Sequence, residues 1–104
     1  MKINAEEFEK KVIDSGDFCI VDFYADWCGP CKMLAPVLEK MEEQGYRVYK
    51  VNVDECLELA ARYGVSSIPT VLFIRDGEVL SQSVGYLSYD ELSELVATYE
   101  QGKI

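Results

Sequence analysis

Two cysteines separated only by a glycine and a proline stand in the stretch Trp27-Cys28-Gly29-Pro30-Cys31-Lys32. Thiols at this spacing can do one of two things. They can close a short disulfide on themselves and exchange it with another, or they can supply half of a tetrahedral metal site. A structural zinc site needs two more ligands, normally a second Cys-x-x-Cys or a pair of histidines. The chain has no histidine, and its other cysteines, Cys19 and Cys56, stand singly. The pattern favours thiol–disulfide chemistry, and no metal is expected. The missing histidine also excludes Ser-His and Cys-His nucleophile pairs. Proton transfer therefore falls to carboxylates, lysines, tyrosines or the thiols themselves.

The pair must be held by regular elements. Phe18-Cys19-Ile20-Val21-Asp22-Phe23-Tyr24-Ala25 is apolar at every position but Asp22. A run of this length without alternation, rich in branched and aromatic residues, reads as a strand buried on both faces. It ends just before Trp27. A helix follows from about Pro30 or Cys31 to Gln44, with Met33, Leu34, Val37, Leu38 and Met41 on one stripe. A kink is expected at Pro36. Cys28 then sits at a helix amino terminus, where unpaired N–H groups and the helix dipole favour a thiolate. Cys31 lies one turn inward, placed to attack a mixed disulfide. Gly29 permits the tight backbone, and Pro30 presets helical φ without wasting a donor. Asp22, a carboxylate in an apolar strand, should have a raised pKa, which suits a base working near neutrality. A structural pairing with Lys50 on the neighbouring strand is compatible with that role.

The remaining elements alternate along the chain. Met1 to Ile3 is at most a short edge strand. Asn4 and Glu7 form a capping box that opens a helix over about residues 5 to 15. Arg47 to Val53 is a strand, and Asp54 caps a helix from Glu55 to Tyr63, closed by Gly64. Ser67-Ile68-Pro69-Thr70 is a turn before a buried strand, Val71 to Ile74. Asp76-Gly77 signals a hairpin, so Glu78 to Val84 runs antiparallel to it and Gly85 breaks it. Ser88 and Glu91 repeat the capping box ahead of a helix carrying Leu92, Leu95, Val96 and Tyr99. The order βαβαβαββα predicts an α/β fold. Parallel neighbours joined by right-handed crossovers, with an antiparallel edge from the late hairpin, give one mixed sheet with helices on both faces. No repeat or linker divides it, so residues 1 to 104 read as a single domain.

A chain of 104 residues, 49% of them apolar, can bury a core without staples. Its 10 basic and 19 acidic residues leave a charge of −9, which repels phosphate backbones and anionic lipid. Neither nucleic acid nor membrane is an expected partner. Met1 to Glu7 has no apolar core of a signal peptide, and no apolar run approaches the ~20 residues of a membrane span. A reducing cytoplasm is the expected compartment, in which Cys19 and Cys56 remain thiols. Cys19, mid-strand, reads as an inert small hydrophobe. Cys56 is expected to be more exposed, as an idle or oxidisable thiol.

Val21 to Lys32 resembles the active-site segment of the thioredoxin family. So do Ala35-Pro36, Lys50-Val51-Asn52-Val53-Asp54, Tyr63-Gly64-Val65, Ser67-Ile68-Pro69-Thr70 and Val84-Gly85 resemble its other motifs, and the resemblance covers essentially the whole chain. It implies the thioredoxin-like fold and a general protein-disulfide reductase serving cell redox homeostasis. The Gly-Pro dipeptide resembles that of the reducing members. By resemblance Cys28 is the attacking thiolate and Cys31 the resolving thiol. Asp22 takes the proton from Cys31 through water, with Lys50 beside it. Pro69 matches the family's cis-proline, which lies against the disulfide. The backbone around Ile68 pairs with an extended substrate, and Trp27, Gly29, Pro30, Ile68, Gly85 and Tyr86 form the substrate-contacting surface. No cofactor is bound. Electrons come from a thioredoxin reductase, and the partners are that reductase and disulfide-containing proteins, met by a monomer. One departure is Tyr24, where many relatives carry a second tryptophan; it is expected to alter packing and fluorescence more than chemistry. Two other readings use the same fold. A binding module or chaperone subunit is opposed by the intact cysteine pair with Asp22. An oxidase or isomerase of a secreted compartment is opposed by the Gly-Pro dipeptide and the absence of an export signal.

Overall fold

The computed structural model describes residues 1–101. A four-stranded sheet runs in the order β2-β1-β3-β4, with β1 Cys19–Tyr24, β2 Arg47–Asn52, β3 Thr70–Arg75 and β4 Glu78–Val84. Helix α1, Ala5–Phe8, passes into a π-helical turn, Glu9–Ile13; α2 is Gly29–Glu43, α3 Leu57–Arg62 and α4 Tyr89–Gln101. The first helix thus stops short of the expected residue 15. Met1 to Ile3 form no strand of their own but a single parallel bridge, Lys2 to Lys50.

β1 pairs parallel with β2 and antiparallel with β3, and β4 closes the antiparallel side. The antiparallel part therefore begins one strand earlier than the alternation of elements predicts. Element length explains this. Helix α2 has 15 residues and rises about 22 Å, enough to carry the chain back along a six-residue strand of about 20 Å. Helix α3 has only 6 residues and rises about 9 Å. The chain therefore re-enters the sheet near the end where β2 left it. That detour delivers Pro69 to the carboxyl end of β1.

Alternation along the strands divides the core into two faces. On one, Cys19, Val21 and Phe23 of β1 pack with Phe8, Val12, Leu59 and Ala60 of the first and third helices. On the other, Ile20, Val48, Val71 and Phe73 pack with Leu34, Leu38 and Met41 of α2 and Leu92 and Val96 of α4. Each large apolar side chain among these contributes about 1.5–3 kcal/mol through burial. Both expected capping boxes are formed. Asn4 Oδ1 accepts from the Glu7 N–H at 2.8 Å while Glu7 accepts from the Asn4 N–H at 2.9 Å, and Ser88 and Glu91 repeat the exchange at 3.1 and 2.9 Å. The hairpin turns at Asp76 and Gly77, whose φ of 54° and 75° suit the twist of the strands it joins. Helix α2 continues through Pro36.

Helix α3 does not begin as expected. Asp54 is not its cap; Cys56 holds that position without a side-chain hydrogen bond. Buried Asn52 orders the approach instead, its Oδ1 accepting from the N–H groups of Asp54 at 2.9 Å and Glu55 at 3.3 Å. This inward turn carries the Cys56 side chain into the first core face, so the thiol expected at the surface is buried.

Candidate active site

The Cys28–Cys31 pair sits where β1 hands over to α2. Cys28 is the N-cap of α2, with Pro30 in the first turn, and its sulfur accepts from the Cys31 N–H at 3.2 Å. The helix thus directs an otherwise unpaired backbone donor and the positive end of its dipole at the Cys28 sulfur. The two cysteines are joined in a disulfide, with Cα atoms 5.2 Å apart. Cys28 and Cys31 keep only 5% and 3% exposure and pack with Ala25 and half-buried Ile68.

Pro69 is buried and follows Ile68 through a cis peptide bond. The Cys28 sulfur lies 3.9 Å from the Ile68 carbonyl oxygen, so the turn before β3 stands directly against the pair. Gly85 is tied to the same place, its N–H donating to the Pro69 carbonyl at 2.8 Å. Its φ of 101° favours a residue without a Cβ. Around this point the surface is apolar. Trp27 is 69% exposed, Val84 58% and Tyr86 45%, while Gly29 and Pro30 are exposed at the start of α2. Of the expected contact residues, Ile68 packs against the pair and Gly85 is bonded to Pro69 beside it, while Trp27, Gly29, Pro30 and Tyr86 are exposed.

Asp22 lies within β1. It faces α2 with Ile20, is fully buried, and neither carboxylate oxygen has a hydrogen-bond partner among the described residues. Burial pushes its pKa up to about 7, with the positive charge of Lys50 pulling weakly the other way. Lys50 stands opposite Asp22 in the β1–β2 register, yet no ion pair joins them among the described residues. The structural pairing with Lys50 that the sequence left open is not formed among the described residues. The Lys50 ammonium sits instead over the ring of Tyr24, 4.5 Å from its centroid. Between Lys50, Tyr24, Asp26, Lys32 and Cys31 opens a cleft of about 150 Å³, with room for several waters. The resolving position, the buried carboxylate's neighbours and solvent thus meet at one place.

Two features had no signal in the sequence. Trp27 is fixed by its Nε1–H, which donates to Asp54 Oδ2 at 2.8 Å. The exposed indole is therefore held in one orientation by a residue whose sequence context suggests a cap of α3. The second is the Tyr24–Lys50 contact, between residues far apart in the chain and brought together by strand pairing. Among the described residues no group of three or more His, Cys, Asp or Glu side chains is gathered to hold a metal ion, and no helix is long and apolar enough to cross a membrane.

The comparisons with known proteins agree with this geometry. A profile of the thioredoxin family matches residues 1–98. The chain is 50% identical over 80 residues to thioredoxin of Bacillus subtilis, covering 74% of this chain and 77% of that one. It is 39% identical over 99 residues to thioredoxin of Haemophilus influenzae, covering 92% of each. Among solved structures, a mutant thioredoxin from Halobacterium salinarum superposes with a TM-score of 0.88 at 40% identity, over 96% of this chain and 89% of that one.

Proposed function

The chain belongs to the thioredoxin family and is a protein-disulfide oxidoreductase working by dithiol–disulfide exchange, and from that premise we propose how its residues divide the work. The whole chain, residues 1 to 104, acts as one thioredoxin domain. The Cys28 thiolate attacks one sulfur of a substrate disulfide, forming a mixed disulfide and expelling the other substrate sulfur as a thiolate. Cys31 loses its proton to Asp22 through water in the cleft, then attacks the Cys28 sulfur. The Cys28–Cys31 disulfide forms, the second substrate sulfur leaves and is protonated, and two electrons have passed to the substrate. Lys50 tempers the charge near Asp22. The cis peptide at Pro69 presents the Ile68 backbone to an extended substrate segment, and Trp27, Gly29, Pro30, Ile68, Gly85 and Tyr86 receive it.

The observation that carries this reading is the Cys28 sulfur at the N-cap of α2, receiving the Cys31 N–H at 3.2 Å. That arrangement stabilises negative charge on the sulfur, which favours the Cys28 thiolate as attacker and as leaving group when Cys31 attacks. The direction of work is reduction, by a cytoplasmic monomer carrying electrons from a thioredoxin reductase to protein disulfides and so maintaining cell redox balance. Family membership and the Gly-Pro dipeptide support it. The test is catalysed reduction of insulin by the protein in the presence of a regenerating reductant. The parent should exceed the reductant alone and Cys28→Ser should fall to its level. A Cys28→Ser variant as active as the parent would overturn the reading.

A further inference from the structure

Lys50 poses a question of reach. It stands opposite Asp22 on adjacent parallel strands, which lie about 4.8 Å apart. A buried carboxylate with no hydrogen-bond partner is a strong attractor for an ammonium at that range. Yet the Lys50 ammonium lies over Tyr24, two residues further along the same face of β1, at 4.5 Å from the ring centroid. The negative face of the Tyr24 ring can compete for it without itself being charged. The position matters because Lys50 and Tyr24 line the cleft at Cys31.

We propose that Tyr24 is a positioning residue for proton transfer: its ring holds the Lys50 ammonium at the mouth of the cleft and off Asp22, leaving the carboxylate unpaired and available to the Cys31 proton. The proposal rests on the reading of Asp22 as proton acceptor. Asp22 itself does not line the cleft, and the other titratable groups at the cleft and on the elements packed against Asp22 do not do this. From α2 come Cys31 and Lys32, which line the cleft, and from the loop after β1 comes Asp26. Lys2, beside Lys50, is engaged by Glu55 at 3.0 Å. β3 sets only Val71 opposite Asp22, and α4 brings Leu92 and Val96 to this face. Lys50 is the cation in register with Asp22, and Tyr24 is what holds it.

With the ring removed, Lys50 is released to pair with Asp22. An opposite charge at contact lowers a carboxyl pKa by about one unit or more. The experiment is a carbon-13 titration of the Asp22 carboxyl, with the pH profile of disulfide exchange measured beside it. Tyr24→Leu should move both midpoints down by about one pH unit or more. Tyr24→Phe, which keeps the ring face, should retain the parent's midpoints. Tyr24→Leu combined with Lys50→Met should return the Asp22 midpoint to the parent's value or above it. An unmoved midpoint in Tyr24→Leu, an equal shift in Tyr24→Phe, or no recovery in the double variant each overturns the proposal. A reading that needs no variant to fold is the parent's own proton spectrum. The Lys50 ε-methylene protons should be shifted upfield by the Tyr24 ring current, and their absence from that region also overturns it. Asp22→Asn separates the two levels. If it exchanges as fast as the parent, Asp22 is not the proton acceptor, whatever holds Lys50.

Discussion

Strand β1 carries two buried ionisable groups three residues apart, and they have opposite fates. Cys19 and Asp22 are both fully buried, and burial raises the pKa of both, Cys19 to about 11 and Asp22 to about 7. Cys19 faces the core formed with the first and third helices, and its thiol has a neighbour in the Asp17 carbonyl at 3.4 Å. Asp22 faces α2, next to the residues that line a solvent-sized cleft at Cys31. Desolvation by itself makes neither group functional. The same effect that silences a thiol, by moving its titration away from neutrality, poises a carboxyl, because the starting values lie on opposite sides of neutral pH. What then separates a poised group from a cost is a route for the proton.

The largest expected difference is in reactivity between cysteines. A thiol titrating near 11 is about one part in a thousand thiolate at pH 8, and full burial slows reagents further. In the reduced protein, alkylation followed by mass spectrometry at pH 8 should label Cys28 at least ~1,000-fold faster than Cys19. Labelling of Cys19 within tenfold of Cys28 would erase the contrast.

The second difference is in stability. In the folded protein Asp22 titrates near 7, and in the unfolded chain near 3.9. Between these values the folded state binds the extra proton, so stability is full below about pH 4 and is lost as pH rises through 7. At about 1.4 kcal/mol per pH unit the penalty reaches roughly 4 kcal/mol at pH 8. Asp22→Asn removes a charge without changing shape. In urea titrations of the oxidised protein it should match the parent near pH 4 and exceed it by that amount at pH 8, while slowing disulfide exchange. A stability gap that stays flat from pH 4 to 8 would show that Asp22 is not held uncharged by burial.

Much of this site was legible in the sequence because local rules specify it. The unalternating apolar run fixes a strand buried on both faces, the proline after Gly29 fixes a helix start, and together they place Cys28 at an N-cap. Asp22 announces itself as the one charge in that run. The capping boxes at Asn4 and Ser88 follow from contacts three residues apart. What was hidden depends on distance across the chain. The direction of β3 follows from how far α3 can carry the chain, and the strand pattern itself contains no direction. The hydrogen bond from Trp27 to Asp54 spans 27 residues, and Asp54 looks like a cap because its neighbourhood resembles a helix start. Cys56 looks exposed for the same reason, until Asn52 turns the segment inward. The hold of Tyr24 on Lys50 arises only from the β1–β2 register.

The smallest effect completes the contrast at the other end of β1. Cys19→Ala removes one buried sulfur from the first core face, the equivalent of about one methylene plus its cavity, and should cost ~1 kcal/mol. It should leave the exchange rate unchanged, since Cys19 lies outside the cleft. Its pH dependence is the informative part. The unfolded thiol titrates near 8.5 and the folded one near 11, so below about pH 8 both states carry the proton and the cost is constant. Above about 8.5 the parent alone begins to lose stability, because its folded thiol resists ionisation while its unfolded thiol does not. The two stability curves, parallel from pH 4 to 8 where Asp22→Asn diverges from the parent, should close on one another only in alkali. If Cys19→Ala instead diverges from the parent between pH 4 and 8, the two groups are coupled through the strand, and the separation between a silenced thiol and a poised carboxyl fails.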